Sequence, residues 1–271
     1  MSADILTLPA PAADARLPYG PQPSQFGYLY LPVGRGSHPL VVYLHGGFWR
    51  VRFSLEHAGH VCAALAADGL AVWSLEYRRI GETSGGWPGT FHDVGRGADA
   101  VRQLANRYSL DLGRVLVMGH SAGGQLALWL AGRHRLRADS PLWVSDPLRP
   151  SAALSLAGVC DLRQAAELRL SNSVVLDLLG GPPEAVPERY ADASPIELLP
   201  LGMPQTLIHG TADENVPYAL SEHYAAAAQR AGDRAELVTL PAVGHFEVID
   251  ARSDAWPTVL ATARRLIDRV R

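Results

Sequence analysis

The chain has little of what several common functions need. Cysteine occurs twice, at Cys62 and Cys160, far apart and in no metal-ligand spacing. A disulfide framework and a Cys-based zinc site are therefore excluded, and two reduced, buried thiols in a cytoplasmic protein are expected. The ten histidines are scattered, with no H-E-x-x-H pair and no Cys/His cluster, so a metal site is not expected. No apolar run approaches the roughly 18 residues that span a bilayer. The first 23 residues are rich in Ala and Pro but lack a basic segment followed by an apolar one, and do not read as a secretory signal. Basic residues form no clustered face. With 24 basic against 27 acidic side chains the net charge is −3, and the pI is near 6.4. Nucleic acid and anionic membrane surfaces are not expected partners.

What is present is ordinary globular material: 271 residues, 48% hydrophobic and 19% charged, ample for a core. Short apolar runs alternate with longer amphipathic stretches. Strands are expected at 27–31, 40–44, 71–75, 115–118, 152–156, 205–208 and 235–240, and helices at 55–67, 93–108, 122–132, 218–231 and 255–270. This β-α-β rhythm predicts an α/β class with a mostly parallel sheet covered by helices on both faces. A single domain over 1–271 is expected, with an N-terminal arm at 1–25. One stretch breaks the rhythm. Residues 161–200 hold short helical pieces punctuated by Gly180-Gly181-Pro182-Pro183, Pro187, Pro195 and Pro200. They read as a small helical cap inserted over the carboxyl edge of the sheet, where substrate selectivity is commonly set, rather than as a long surface connection.

The chemistry centres on Val115-Leu116-Val117-Met118-Gly119-His120-Ser121-Ala122-Gly123-Gly124. An apolar strand runs into a G-x-S-x-G pentapeptide, and a helical pattern follows at once. That is the sequence form of a nucleophile elbow, with Ser121 held on a strained turn. A serine hydroxyl is a weak nucleophile and needs a base oriented by a carboxylate. After such an elbow the expected order is acid, then histidine. His209, His223 and His245 remain as bases beyond the 161–200 stretch, and His245 is chosen because it lies in a loop after a strand. Asp213, between a strand end and a helix, is the expected acid. Asp161, the alternative acid, reads instead as an N-cap. The oxyanion of the tetrahedral intermediate needs fixed backbone N–H donors. Ala122 and the loop residues Gly47 and Phe48 are the candidates. His45 reads as a brace for that loop. Trp49 reads as packing under the loop more than as lining a pocket. The segment Glu76-Tyr77-Arg78-Arg79, with Asp93 beyond, reads as internal ion pairing.

With these residues in place, the chain resembles the α/β-hydrolase superfamily from about Gly27 onward. His45-Gly46-Gly47-Phe48-Trp49 resembles the H-G-G-x-W signature of serine-type kynurenine formamidases and their esterase relatives, and Gly119-His120-Ser121-Ala122-Gly123 resembles the elbow of the same group. The resemblance implies Ser121 as nucleophile, Asp213 as acid, His245 as base and an oxyanion hole at Gly47, Phe48 and Ala122. It also implies a small ester or aryl formamide substrate, an acyl-enzyme intermediate and no cofactor. Residues 207–217 also resemble the prolyl-oligopeptidase group, so a peptidase is the alternative enzyme. An inactive hydrolase fold that binds a ligand or a partner is the alternative outside enzymes. Monomer and homodimer are both left open.

Overall fold

The computed structural model of the chain describes residues 5–34 and 36–268. Positions 1–4 of the expected arm and positions 269 and 270 of the last expected helix lie outside the described residues. Eight strands form one sheet: β1 (Ala15–Pro18), β2 (Phe26–Tyr30), β3 (His38–Leu44), β4 (Ala71–Leu75), β5 (Leu110–His120), β6 (Ala152–Leu156), β7 (Gln205–Gly210) and β8 (Ala235–Leu240). Their spatial order is β1-β2-β4-β3-β5-β6-β7-β8. β1 and β2 run antiparallel at one edge, and every pairing from β4 to β8 is parallel.

Alternation along the central strands sends their side chains to two separate cores. Leu40, Val42 and Leu44 of β3 pack on one side, with Val94 and Ala98 of α2 (Gly89–Asp99), Leu126 and Leu130 of α4 (Ala122–Gly132), and Leu220 and Tyr224 of α8 (Ala219–Arg230). Val41 and Tyr43 pack on the other, with Val61 and Leu65 of α1 (Gly59–Ala67) and Val259 and Leu266 of α9 (Trp256–Asp268). A parallel sheet buried on both faces explains why its strands read as nearly unbroken apolar runs.

The expected central strands and most of the helices form where the sequence periodicity puts them. Three differences have physical causes. β1 is a short edge strand whose residues alternate between half-buried and exposed and end at Pro18, so it carries no apolar run to detect. β5 begins at Leu110, well before Val115. Its first residues pair with His38 and Pro39, and the register shifts between Pro39 and Leu40, which hides the pattern. The helix expected at 93–108 starts at Gly89 and divides at Ala100 into α2 and α3 (Val101–Tyr108).

Residues 161–200 fold as α5 (Leu162–Glu167), α6 (Leu170–Leu179) and α7 (Pro187–Ala193), followed by a 3-10 turn at Pro195–Leu198. Asp161 caps α5: its Oδ1 accepts from the Arg163 and Gln164 N–H groups at 3.0 and 3.1 Å. The segment joins the core on the α4 face, through buried Leu162, Val174, Leu178 and Tyr190.

Candidate active site

The site is assembled at a crossing in the chain. From β3 the chain passes through α1 to β4 on one side, then through α2 and α3 to β5 on the other. The carboxyl ends of β3 and β5 therefore lie side by side with their connections diverging, the place where open α/β sheets leave a crevice. Leu44 and Gly119 are register partners there.

At the end of β5 the backbone turns into α4 through Ser121, which holds φ 56° and ψ −120°. A serine at positive φ is strained, and its surroundings enforce it. A Cβ on Gly119 would run into the Gly123 carbonyl, and one on Gly123 would run into the Leu44 carbonyl, so both glycines of the pentapeptide are required by the tight turn. The Ser121 N–H donates to Leu156 O of β6 at 2.8 Å. Ala122 opens α4.

The loop after β3 is equally contorted. Gly47, Phe48 and Trp49 all have positive φ, at 109°, 51° and 55°. The turn is closed by Arg50 N–H donating to Gly47 O at 3.0 Å and Ile80 N–H donating to Trp49 O at 2.7 Å. Trp49 is fully buried beneath the loop, and its indole donates to Gln125 Oε1 of α4 at 3.1 Å. Gln125 Nε2 then donates to Ala193 O of α7 at 2.9 Å. Among the described residues, the N–H groups of Gly47, Phe48 and Ala122 donate to no other group. Below the loop, His45 Nε2 meets Glu76 Oε1 at 2.8 Å, its ring stacks on Tyr77 with centroids 4.4 Å apart, and Tyr77 Oη donates to His45 O at 2.8 Å. Glu76 also pairs with Arg79, and Arg78 with Asp93. Burial alone would raise the Glu76 pKa, but His45 and Arg79 hold it below the usual value.

Asp213 follows β7 and His245 follows β8, and the structure brings them together: His245 Nδ1 lies 2.6 Å from Asp213 Oδ2. Asp213 Oδ1 accepts from the Asn215 and Val216 N–H groups at 2.8 and 2.9 Å. His209, one of the three bases considered from sequence, sits behind Asp213. Its Nε2 is 3.1 Å from both Asp213 Oδ2 and Val216 O, so that nitrogen carries the proton, and Nδ1 accepts from Ser221 Oγ at 2.7 Å. Burial opposes ionisation of Asp213, but the bonds from His209 and His245 prevail and hold its carboxyl well below the usual range. His223 is exposed on α8, 3.4 Å from the Asp161 carboxylate.

Ser121, His245, Gly47 and Phe48 share a cavity of about 120 Å³. Its other walls were not legible in the sequence: Leu6 from the N-terminal arm, Arg52, Phe53 and His57 after the glycine loop, His120, Asn215 and Phe246. No lining residue comes from the 161–200 segment. His120 braces His245 from within the 119–123 turn, with Nε2–H donating to His245 O at 2.9 Å, while its buried Nδ1 has no partner among the described residues. Both cysteines are free and buried, and burial pushes each thiol up to about 12. No helix among the described residues is long and apolar enough to cross a membrane.

Known proteins agree with this architecture. A truncated carbohydrate esterase from gut microbiota superposes with a TM-score of 0.80 at 20% identity, over 96% of this chain and 97% of that one. The esterase Est2 of Thermogutta terrifontis with bound butyrate superposes at 0.75 and 24% identity, over 94% of each chain. The fold is the α/β-hydrolase fold. In sequence, a probable isoprenylcysteine alpha-carbonyl methylesterase ICME of Oryza sativa subsp. japonica is 27% identical over 242 residues, covering 85% of this chain and 57% of that protein. The Arabidopsis thaliana ICME is 26% identical over 245 residues, with 85% and 56% covered. The chain thus spans little more than half the length of these curated relatives. The BD-FAE family model matches residues 28–227, from β2 through the elbow and the Asp213 loop into α8, and on that match the chain belongs to the BD-FAE family.

Proposed function

We propose that the protein is a serine hydrolase that cleaves small carboxylic esters through an acyl-enzyme intermediate. The observation that carries this reading is the 2.6 Å contact between His245 Nδ1 and Asp213 Oδ2, on a cavity shared with a serine forced to φ 56°. With Nδ1–H donating to the carboxylate, Nε2 of the neutral ring is left as the acceptor. It takes the Ser121 proton as Oγ attacks the ester carbonyl. The oxyanion forms against the N–H groups of Gly47, Phe48 and Ala122, which have no other acceptor among the described residues. The imidazolium, stabilised by Asp213, returns the proton to the leaving alkoxide. Water then repeats the sequence on the acyl-enzyme.

A cavity of about 120 Å³ favours a short acyl group. The methylesterases and carbohydrate esterases among similar proteins support ester over amide. An aryl formamide, with the smallest of acyl groups, extends the same reading on the strength of the H-G-G-x-W motif. The test is labelling with a fluorophosphonate, together with turnover of 4-nitrophenyl acetate, butyrate and octanoate and of N-formylkynurenine. The expected outcome is labelling that Ser121→Ala abolishes, with acetate and butyrate turned over faster than octanoate. An unlabelled wild type, or equal labelling of the variant, overturns the serine assignment. Turnover of N-formylkynurenine above the esters selects the formamide.

A further inference from the structure

Arg52 is exposed at the cavity, in the turn just after the glycine loop. The chain contains no lysine, so its 24 basic side chains are all arginines, and those near the site other than Arg52 are already bonded, Arg50 to Ser171 O at 2.7 Å and Arg78 and Arg79 to acids. Arg78 binds Asp93, and Arg79 binds Glu76 and Glu82. Arg52 differs from them. Among the described residues its guanidinium makes no hydrogen bond and no ion pair. It lies instead over the Phe53 ring, whose centroid is 4.8 Å from Cζ. Phe53 in turn packs so closely on the α-carbon of Gly47 that a Cβ there would collide with it. The charge is therefore stacked on a ring that packs against Gly47, which holds it at the wall of the cavity more firmly than a freely rotating arginine would be held.

The rest of the lining adds to this field. No Asp or Glu lines the cavity. Several nearby acids are engaged elsewhere, Asp213 by His245 and His209, Glu56 by Tyr28 Oη at 3.0 Å, and Glu76 and Glu82 by Arg79, while Glu214 is exposed beside Asn215 and Glu247 follows Phe246, neither of them lining the cavity. Asn215 lines the cavity too, and among the described residues its side-chain amide has no hydrogen bond. The net charge of the chain is −3, so the unpaired guanidinium at the cavity is opposite in sign to the protein as a whole. A cation without a partner, a free amide and no lining carboxylate make a receptor for an anion.

We propose that the substrate is an ester carrying a carboxylate or similar anionic group, and that Arg52, assisted by Asn215, is the specificity-determining residue that binds it. This rests on the serine-hydrolase reading. The anion belongs to the acyl or to the alcohol part of the ester, and two matched pairs of substrates separate these sources. On the acyl side, 4-nitrophenyl hydrogen adipate is compared with 4-nitrophenyl 6-methylheptanoate, whose branched end replaces the carboxylate. On the alcohol side, 4-acetoxybenzoate is compared with 4-acetoxybenzamide.

The quantity read is the ratio of kcat/KM for the anionic ester over its neutral partner, so losses common to both cancel. Wild type is expected to favour the anionic member of one pair by about tenfold or more, a fold-change equal to about 1.4 kcal/mol. Arg52→Gln is expected to bring that ratio to about one, and Arg52→Lys to keep most of it. Raising the salt concentration is expected to shrink the wild-type ratio, because the site is open to solvent. A wild-type ratio near one in both pairs overturns the inference while leaving the hydrolase reading intact, as does an unchanged ratio in Arg52→Gln. Failure to turn over any of the four esters overturns both.

Discussion

Asp213 makes four polar contacts, and their accounting separates two roles. One carboxylate oxygen takes two backbone N–H groups, which anchor the loop, and the other takes His245 and His209. Asp213→Asn preserves the volume but places an amide where two imidazole donors converge. Turnover of a short-chain ester by the folded variant is expected to fall by about 10⁴-fold, the value of an orienting acid in such triads. Near-normal kcat would move the acid to Asp161. That residue supplies the opposite control, because its Oδ1 caps α5. Asp161→Ala is expected to cost about 1 kcal/mol of stability and to change kcat by less than about twofold, read from urea unfolding and ester kinetics on the same preparation. The distinction between the two aspartates is legible in the chain order alone. Both follow strand ends, but only Asp213 precedes His245 by one β-α unit in the order an elbow requires.

Among the elements, α4 does more than follow the strained Ser121 turn. Its Gln125 is buried and ties three parts together, accepting from the Trp49 indole under the glycine loop and donating to Ala193 O of α7. Gln125→Leu keeps the bulk but leaves one buried donor and one buried acceptor without partners, each worth about 1–3 kcal/mol. The loop that should respond first is the strained one, with three consecutive residues at positive φ. The variant is therefore expected to lose kcat by about tenfold or more with a smaller change in KM, whereas a purely global destabilisation would leave the kinetics of the folded fraction unchanged. Steady-state kinetics alongside thermal unfolding distinguish the two. Gln125 left no mark in the sequence, where it is one polar residue in an apolar helix. The boundaries of α4 were plain, because the elbow starts it and the pattern runs unbroken to Gly132. β1 and the start of β5 were not, because an edge strand and a shifted register lack the alternation that marks a buried strand.

For the whole molecule, a sequence locates chain-order features better than spatial ones. Ser121, Asp213 and His245 follow strand ends, and one parallel sheet carries those ends to a common edge. Leu6, Arg52, His57 and Asn215 reach the same cavity only through folding and have no motif. His57 also ties the cavity to global stability. Burial first, and then repulsion from His45, lower its pKa from 6.5 to about 3, and burial with neighbouring His245 lowers that of His120 well below the ordinary value. The unfolded chain takes up these protons near pH 6.5, whereas the folded chain refuses one at His57 until about pH 3. The stability they contribute is thus fully present above about pH 6.5 and declines as the pH falls toward the folded values. Carboxylates held low in the fold, such as Asp213 and Glu76, add their own loss only near and below about pH 4. Between about pH 4.5 and 6, His57 and His120 are each expected to contribute a slope of about 1.4 kcal/mol per pH unit. Urea unfolding across that window therefore has a specific expectation: His57→Gln flattens the slope by about the share of one histidine, and a variant whose slope equals that of wild type shows that His57 is protonated in the folded protein.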